Sequence, residues 1–274
     1  MNLEMSSMKV ALVTGVSSGI GKATAARLAE IGFRTFGTVR ADSAPQANVE
    51  LVDLDVRDAN SAEECVATVF ERAGRIDVLV NSAGSALTGA AEETSLAEAR
   101  DLFDTNFFGL MRMTQAVLPA MRAQRAGRII NISSVLGFLP APFMSVYAAT
   151  KHAVEGYSES LDHEVRGFGV RVIVVEPGFT RTSLGHHSRA AQQPLSDYGQ
   201  ERKRVVARLN DNIAHGADPA VVARIVAEAA TVSSPRLRYQ AGREARLLRI
   251  LRSIAPSSAL DKGIRKEFGL GAAS

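Results

Sequence analysis

The sequence contains no tryptophan and only four tyrosines, too few rings for the base-stacking platform that single-stranded nucleic-acid binders use. Its one cysteine, Cys65, cannot close a disulfide within the chain and leaves no framework for zinc. Neither sign of charge dominates: 32 Lys and Arg against 29 Asp and Glu leave +3, a mixed surface rather than a nucleic-acid footprint. Long apolar runs are missing too. The longest uncharged span, 129–150, is interrupted by Asn131, Ser133, Ser134, Pro140, Pro142 and Ser145, which a lipid-embedded helix would not tolerate. The opening MNLEMSSMKV carries an acid and no apolar stretch, so it does not read as a secretory signal. These absences predict a cytoplasmic protein with no nucleic-acid partner, no membrane span and no metal.

With 46% hydrophobic residues, the chain has ample material for one core. Short β-branched runs at 10–13, 34–39, 49–52, 78–80, 128–132 and 170–175 read as buried strands, with 238–239 as a last one. Amphipathic stretches at 22–31, 61–73, 96–125, 148–166 and 219–231 lie between them. This alternation predicts an α/β fold, a doubly wound parallel sheet (Rossmann fold) forming a single domain over 8–274, with 1–7 disordered. Ligands bind such sheets beyond the carboxyl ends of the strands, where the strand order reverses. Two segments break the pattern. The polar insertion 183–216, holding His186 and His187, reads as a substrate lid rather than a metal site. The tail 242–274 sets Arg243, Arg246, Arg249 and Arg252 beside Leu247, Leu248, Ile250 and Leu251. That is a basic amphipathic helix, either a solvated face over an apolar seam or a contact for a membrane surface or partner. Cys65, on a helix among apolar residues, reads as core filler.

After the first strand comes Thr14-Gly15-Val16-Ser17-Ser18-Gly19-Ile20-Gly21, and a helix follows. Glycines let the chain turn sharply and bring its backbone against a pyrophosphate, and the helix N-terminus favours the anion. Further on, Tyr147 and Lys151 stand four residues apart, so they share a helix face. A free phenol has a pKa of ~10, and a cation within ~4–6 Å lowers such a group by roughly 1–3 units. Tyr147 could then exchange a proton with an alcohol or carbonyl, while Ser134 holds the substrate oxygen. Taken singly, each of these residues has an ordinary structural reading as core aromatic, surface lysine or turn serine; their order beside a phosphate loop is what sets them apart.

The spacing T-G-x-x-x-G-x-G resembles that of the short-chain dehydrogenase/reductase family, in its single-domain branch. Asn81-Ser82-Ala83-Gly84 stands where the family usually has N-N-A-G, followed by Asn106, Ser134, Tyr147-x-x-x-Lys151 and Pro177-Gly178, in order along nearly the whole chain. The resemblance implies catalytic roles for Asn106, Ser134, Tyr147 and Lys151, with Lys151 on the nicotinamide ribose and Asn106 in a water-linked proton relay. It also implies cofactor contacts from Gly15, Ser17, Ser18, Gly19, Ile20, Gly21, Asn81, Ala83, Gly84, Pro177, Gly178, Thr180 and Thr182, and adenine contacts from Asp55 and Val56. NAD-using members usually carry an aspartate where this chain has Val39. Here the next residue is Arg40, whose planar fork suits a 2′-phosphate, so the cofactor is read as NADP. The segment from Arg238 to Leu248 looks like that of members related to 17β-hydroxysteroid and retinol dehydrogenases, implying an apolar carbonyl or alcohol substrate. The resemblance further implies a homodimer or homotetramer. The alternative is an NADP(H)-binding sensor without turnover, against which the intact proton-transfer set argues.

Overall fold

A computed structural model of the chain describes residues 8–40, 46–182 and 188–270. The strands, in chain order, are β1 (Val10–Val13), β2 (Arg34–Val39), β3 (Val49–Asp53), β4 (Val78–Asn81), β5 (Leu87–Thr88), β6 (Gly127–Ile132), β7 (Val170–Pro177), β8 (Arg189–Ala190) and β9 (Arg238–Ala241). The helices are α1 (Gly19–Glu30), α2 (Ala59–Ala73), α3 (Leu96–Phe103), α4 (Gly109–Gln124), α5 (Ser145–Val165), α6 (Gly199–Ala214), α7 (Pro219–Thr231), α8 (Arg243–Ile254) and α9 (Ser257–Glu267). Every position of β1 and β4 is buried, with no alternation, as expected of strands covered on both faces. Seven strands pair in parallel in the order β3-β2-β1-β4-β6-β7-β9. This is the doubly wound Rossmann-type sheet the sequence predicted.

Each face of the sheet has its own core. On one, Ala25 and Leu28 of α1 and Val222, Val226 and Ala230 of α7 pack against Val13, Val80 and Ile130. On the other, Val66 and Val69 of α2, Met113 and Val117 of α4 and Leu161 of α5 pack against Leu12, Leu79 and Ile129. Cys65 belongs to this second core, and burial pushes its thiol up to about 12, so it is inert packing. The helix ends follow local chemistry. Asp58 accepts from the Asn60 and Ser61 N–H groups at the start of α2, and Gly74 closes that helix in the left-handed region. Asp218 caps α7, with Pro219 in its first turn.

Three segments depart from the predicted elements. The helix expected over 96–125 is broken by a π-helical turn at Asp104–Phe108. Asn106 sits in that turn, and its side chain bonds both backbone groups of Ser85, a long-range contact that outweighs regular helix geometry. Of the insertion, 183–187 with His186 and His187 lie outside the described residues. The remainder is regular rather than loop-like: β8 pairs with β5, and α6 follows. Buried Glu93 holds this segment, accepting from the Ala90 and Leu195 N–H groups (2.8 Å each) and pairing with Arg202. The tail is two helices, not one, because Pro256 forces Ala255 into an extended conformation between α8 and α9.

Asp162, fully buried on α5, anchors β7. Its Oδ1 accepts from Arg171 Nε and the Val172 N–H (2.9 Å each), and its Oδ2 pairs with Arg166. Burial pushes this carboxyl up, but the bonds from Arg171, Arg166 and Val172 outweigh it and hold it below the usual range. Its stabilising share is therefore present above the unfolded value of ~3.9 and lost as pH falls through the lower folded value. Asp162→Asn is expected to cost about 3 kcal/mol, the low end for breaking a buried pair, since Arg166 is half-exposed. Urea unfolding checks this: the gap between wild type and variant should be full at pH 7 and narrow below the unfolded value.

Candidate active site

The strand order reverses at β1 and β4, with β2 and β3 to one side and β6, β7 and β9 to the other. A cavity of about 940 Å³ opens at the carboxyl ends of these strands, at the topological switch point. Its first wall is the loop after β1. The Thr14 hydroxyl accepts from the Ser82 and Ala83 N–H groups (3.0 Å each), locking the ends of β1 and β4 together. The backbone then passes through Gly15 (φ 72°) and Gly19 (φ 57°) into α1. A Cβ on Gly21 would stand 2.2 Å from the Gly15 carbonyl oxygen, and one on Gly15 2.9 Å from Ala83 Cα. Side chains are thus excluded where the loop wraps the N-terminus of α1, whose first N–H groups have no partner within the helix. A cradle of bare backbone at a helix N-terminus fits a pyrophosphate.

At one end of the cavity lie the ends of β2 and β3. Val39 is buried, and Arg40 is exposed beside the opening. Asp55 is held by Arg57 in a two-pronged pair (Nε to Oδ1 3.0 Å, Nη2 to Oδ2 2.7 Å). Those bonds hold the Asp55 carboxyl down at about 2, and Arg40 adds a more distant pull in the same direction. Arg57 and Val56 also line this end. The sequence reading did not include Arg57, which belongs to none of the motifs it used.

The floor is made where β6 ends and α5 begins. Ser134 caps a short turn at Val135–Gly137, its Oγ accepting the Leu136 N–H at 3.1 Å. Tyr147 and Lys151, one turn apart on α5, are both buried. Lys151 Nζ donates to the Ile132 carbonyl at 2.9 Å and lies 5.8 Å from the centre of the Tyr147 ring. Burial pushes the Tyr147 phenol up to about 12, with the neighbouring Ser134 hydroxyl working the other way. Burial likewise drives Lys151 down to about 8, opposed by the charge of Glu155. The sequence reading had Lys151 and the positive nicotinamide ring of an oxidised cofactor lower the phenol together; from the protein's own groups, burial pushes it the other way.

Pro177, Gly178, Thr180 and Thr182 form the wall that follows β7, and a Cβ on Gly19 would come within 3.2 Å of Thr182. Together with Ser17, Ser18, Ile20, Ala83 and Gly84, these complete the set of predicted residues that line the cavity. Asn81 and Asn106 lie behind the wall instead. Asn81 Nδ2 donates to Asn131 Oδ1 (2.9 Å) and Thr114 Oγ1 (3.3 Å), joining a buried network beneath α4 and α5. Asn106 accepts from the Ser85 N–H (2.8 Å) and donates to the Ser85 carbonyl (3.0 Å) and Thr150 (3.2 Å). Asn106 therefore shapes the 82–85 loop, and Asn81 ties β4 to β6 and α4.

The opposite end of the cavity is apolar, with Leu136, Met144, Phe179, Val206, Leu209, Ile213 and Phe268 on its surface. The spacing of 206, 209 and 213 within the polar insertion is helical and is the signal that could have found α6 as a lining element. Phe268, isolated in a polar tail, gives no such signal. Among the described residues, no group of three or more His, Cys, Asp or Glu could hold a metal ion, and no helix is long and apolar enough to cross a membrane.

Residues 9–193 match the family model for short chain dehydrogenases. The chain is 35% identical to a 3-ketodihydrosphingosine reductase of Bacteroides thetaiotaomicron, over 85% of this chain and 88% of that protein. It is 33% identical to retinol dehydrogenase 8 of Bos taurus, over 92% and 87% of the two chains. Among solved structures, a short-chain dehydrogenase from Streptomyces avermitilis is 35% identical and superposes with a TM-score of 0.81, covering 97% of this chain and 99% of its own.

Proposed function

The chain belongs to the short-chain dehydrogenase family, and from that membership we propose an NADP(H)-dependent oxidoreductase that interconverts an apolar ketone or aldehyde with its alcohol. The observation that carries this reading is the meeting of Ser134, Tyr147 and Lys151 on the floor of a cavity whose other end is apolar. The dinucleotide, when bound, supplies or accepts the hydride. Gly15, Gly19 and Gly21 would hold its pyrophosphate, and Arg40 its 2′-phosphate. Tyr147 gives its phenolic proton to the carbonyl oxygen, and Ser134 donates a hydrogen bond to the same oxygen as charge develops on it. A phenol raised by burial is already in the protonated form that carbonyl reduction needs. Lys151 places a positive charge beside the phenol and offsets the phenolate that proton transfer leaves.

Val39 and Arg40 support NADP over NAD: an apolar residue stands where an acid would repel the phosphate, and an exposed guanidinium follows it. The apolar end, built from α6, Phe179 and Phe268, supports a hydrocarbon-bearing substrate. The relatives named for ketodihydrosphingosine and retinol agree with it. The test follows nicotinamide absorbance with NADPH and NADH against ketones and aldehydes of increasing chain length. Consumption of NADPH is expected, with kcat/KM rising as the chain lengthens. Cofactor binding with no turnover on any carbonyl would overturn the reading.

A further inference from the structure

Behind Tyr147 and Lys151 lies a second group of charges that proton transfer as described leaves unused. Glu155 follows Lys151 by one turn of α5 and is equally buried, and Glu176, at the end of β7, is inaccessible. Arg238, on edge strand β9, reaches Glu155 (3.1 Å), Glu159 (2.8 Å) and Glu176 (3.6 Å). Arg249 of α8 adds a contact to Glu176 at 3.5 Å, and Gln240 donates to the other oxygen of Glu176 at 2.7 Å. Three carboxylates thus share two guanidiniums, and Lys151 stands one helical turn before Glu155.

Both side chains also grip the same strand end. Lys151 holds the Ile132 carbonyl. The Glu155 carboxyl packs on Gly137 beside Ser133, so closely that a Cβ there would lie 3.0 Å from Glu155 Oε1 and 2.6 Å from Ser133 Oγ. Ser134 is the next residue.

We propose that Glu155 is a positioning residue for this site, acting as the counter-charge of the Lys151 ammonium and kept ionised by Arg238. The proposal rests on the oxidoreductase reading for its consequence in catalysis, but not for its physical basis. An opposite charge one turn away favours the ammonium. Without it, burial alone would act on Lys151, and the ammonium would be lost nearer to neutral pH. The opposing influence is on Glu155 itself, whose carboxyl lies above the usual range because burial, and after it Glu176, push it up while Ser133 and Arg238 hold it down. If burial prevailed, Glu155 would be neutral and would do nothing for Lys151.

The experiment labels the six lysines with 13C at Cε in the full-length protein, assigns Lys151 with Lys151→Arg, and titrates by NMR. In wild type the Lys151 midpoint is expected near about 8, with a smaller inflection at acid pH as Glu155 takes up its proton. In Glu155→Gln, which keeps the shape and removes the charge, the midpoint should fall by about one unit. The KM for NADPH should then rise at pH 8 and stay near wild type at pH 6. An unmoved midpoint, or a KM raised equally at both pH values, would overturn the proposal and leave Glu155 as packing. Should the variant fail to fold, the wild-type titration decides: a Lys151 curve without the acid inflection rejects the coupling. Absence of turnover in wild type with a shifted midpoint in the variant would sink the oxidoreductase reading and leave the charge pairing intact.

Discussion

Tyr147→Phe is expected to lower kcat for carbonyl reduction by at least ~10²–10⁴-fold, the usual contribution of a general acid. The ring that packs against Ala86, Leu87 and Leu102 is kept, so the fold and the cofactor cradle stay in place. Only the hydroxyl is lost, and with it both the proton and a hydrogen bond to the substrate oxygen. Dissociation constants for NADPH should therefore change by less than about threefold, roughly half of the ~1.4 kcal/mol that tenfold represents. Single-turnover kinetics with a saturating ketone, together with cofactor titration, separate the two effects. A variant retaining more than a tenth of the wild-type chemical rate would mean that another group supplies the proton.

The second large effect is on cofactor choice. Arg40→Ala is expected to weaken NADPH by roughly 10- to 100-fold, since a hydrogen bond to a charged group is worth about 1.5–3 kcal/mol. Exposure of Arg40 at the end of β2 places the outcome in the lower half of that range. NADH, having no phosphate to lose, should be almost unaffected. Adding Val39→Asp puts a carboxylate where it repels the phosphate and can accept from the ribose hydroxyls, so the double variant should prefer NADH. The neighbouring Asp55 is already occupied by Arg57, so it does not take over that role. The measurement is kcat/KM for both cofactors across wild type and the two variants. A wild type that prefers NADH, or an Arg40→Ala ratio within twofold of wild type, would reduce Arg40 to a surface charge.

The sheet was legible because β1, β4 and most of β6 and β7 are apolar on both faces, and the runs stand out at any spacing. The phosphate loop was legible for a related reason: Gly15 and Gly19 occupy backbone conformations that other residues resist, and Gly21 has no room for a side chain. The turn at Asp104–Phe108 was hidden because it is imposed by Ser85, far away in the chain, while the local apolar period continues through it. Helix α6 was hidden by composition. It buries Val205 and Leu209 but is otherwise polar enough to pass for loop. The charge cluster was least accessible, because Glu155, Glu176, Arg238 and Arg249 each look like solvated residues. Only the parallel pairing of β7 with β9, which sets Glu176 opposite Gln240, brings their segments together.

That late pairing also sets an order on biosynthesis. A ribosome delivers Ser134, Tyr147 and Lys151 well before β9, so the chemical set exists in the nascent chain long before its supporting sheet is complete. Until Arg238 and Arg249 arrive, docking α5 on β7 would bury Glu155 and Glu176 with too few counter-charges, at an effective cost of several kcal/mol per uncompensated ion. The electrostatics are thus expected to delay closure of the half-made protein. A chain interrupted before β9 carries every residue that handles the substrate oxygen and lacks the cations that let their scaffold settle.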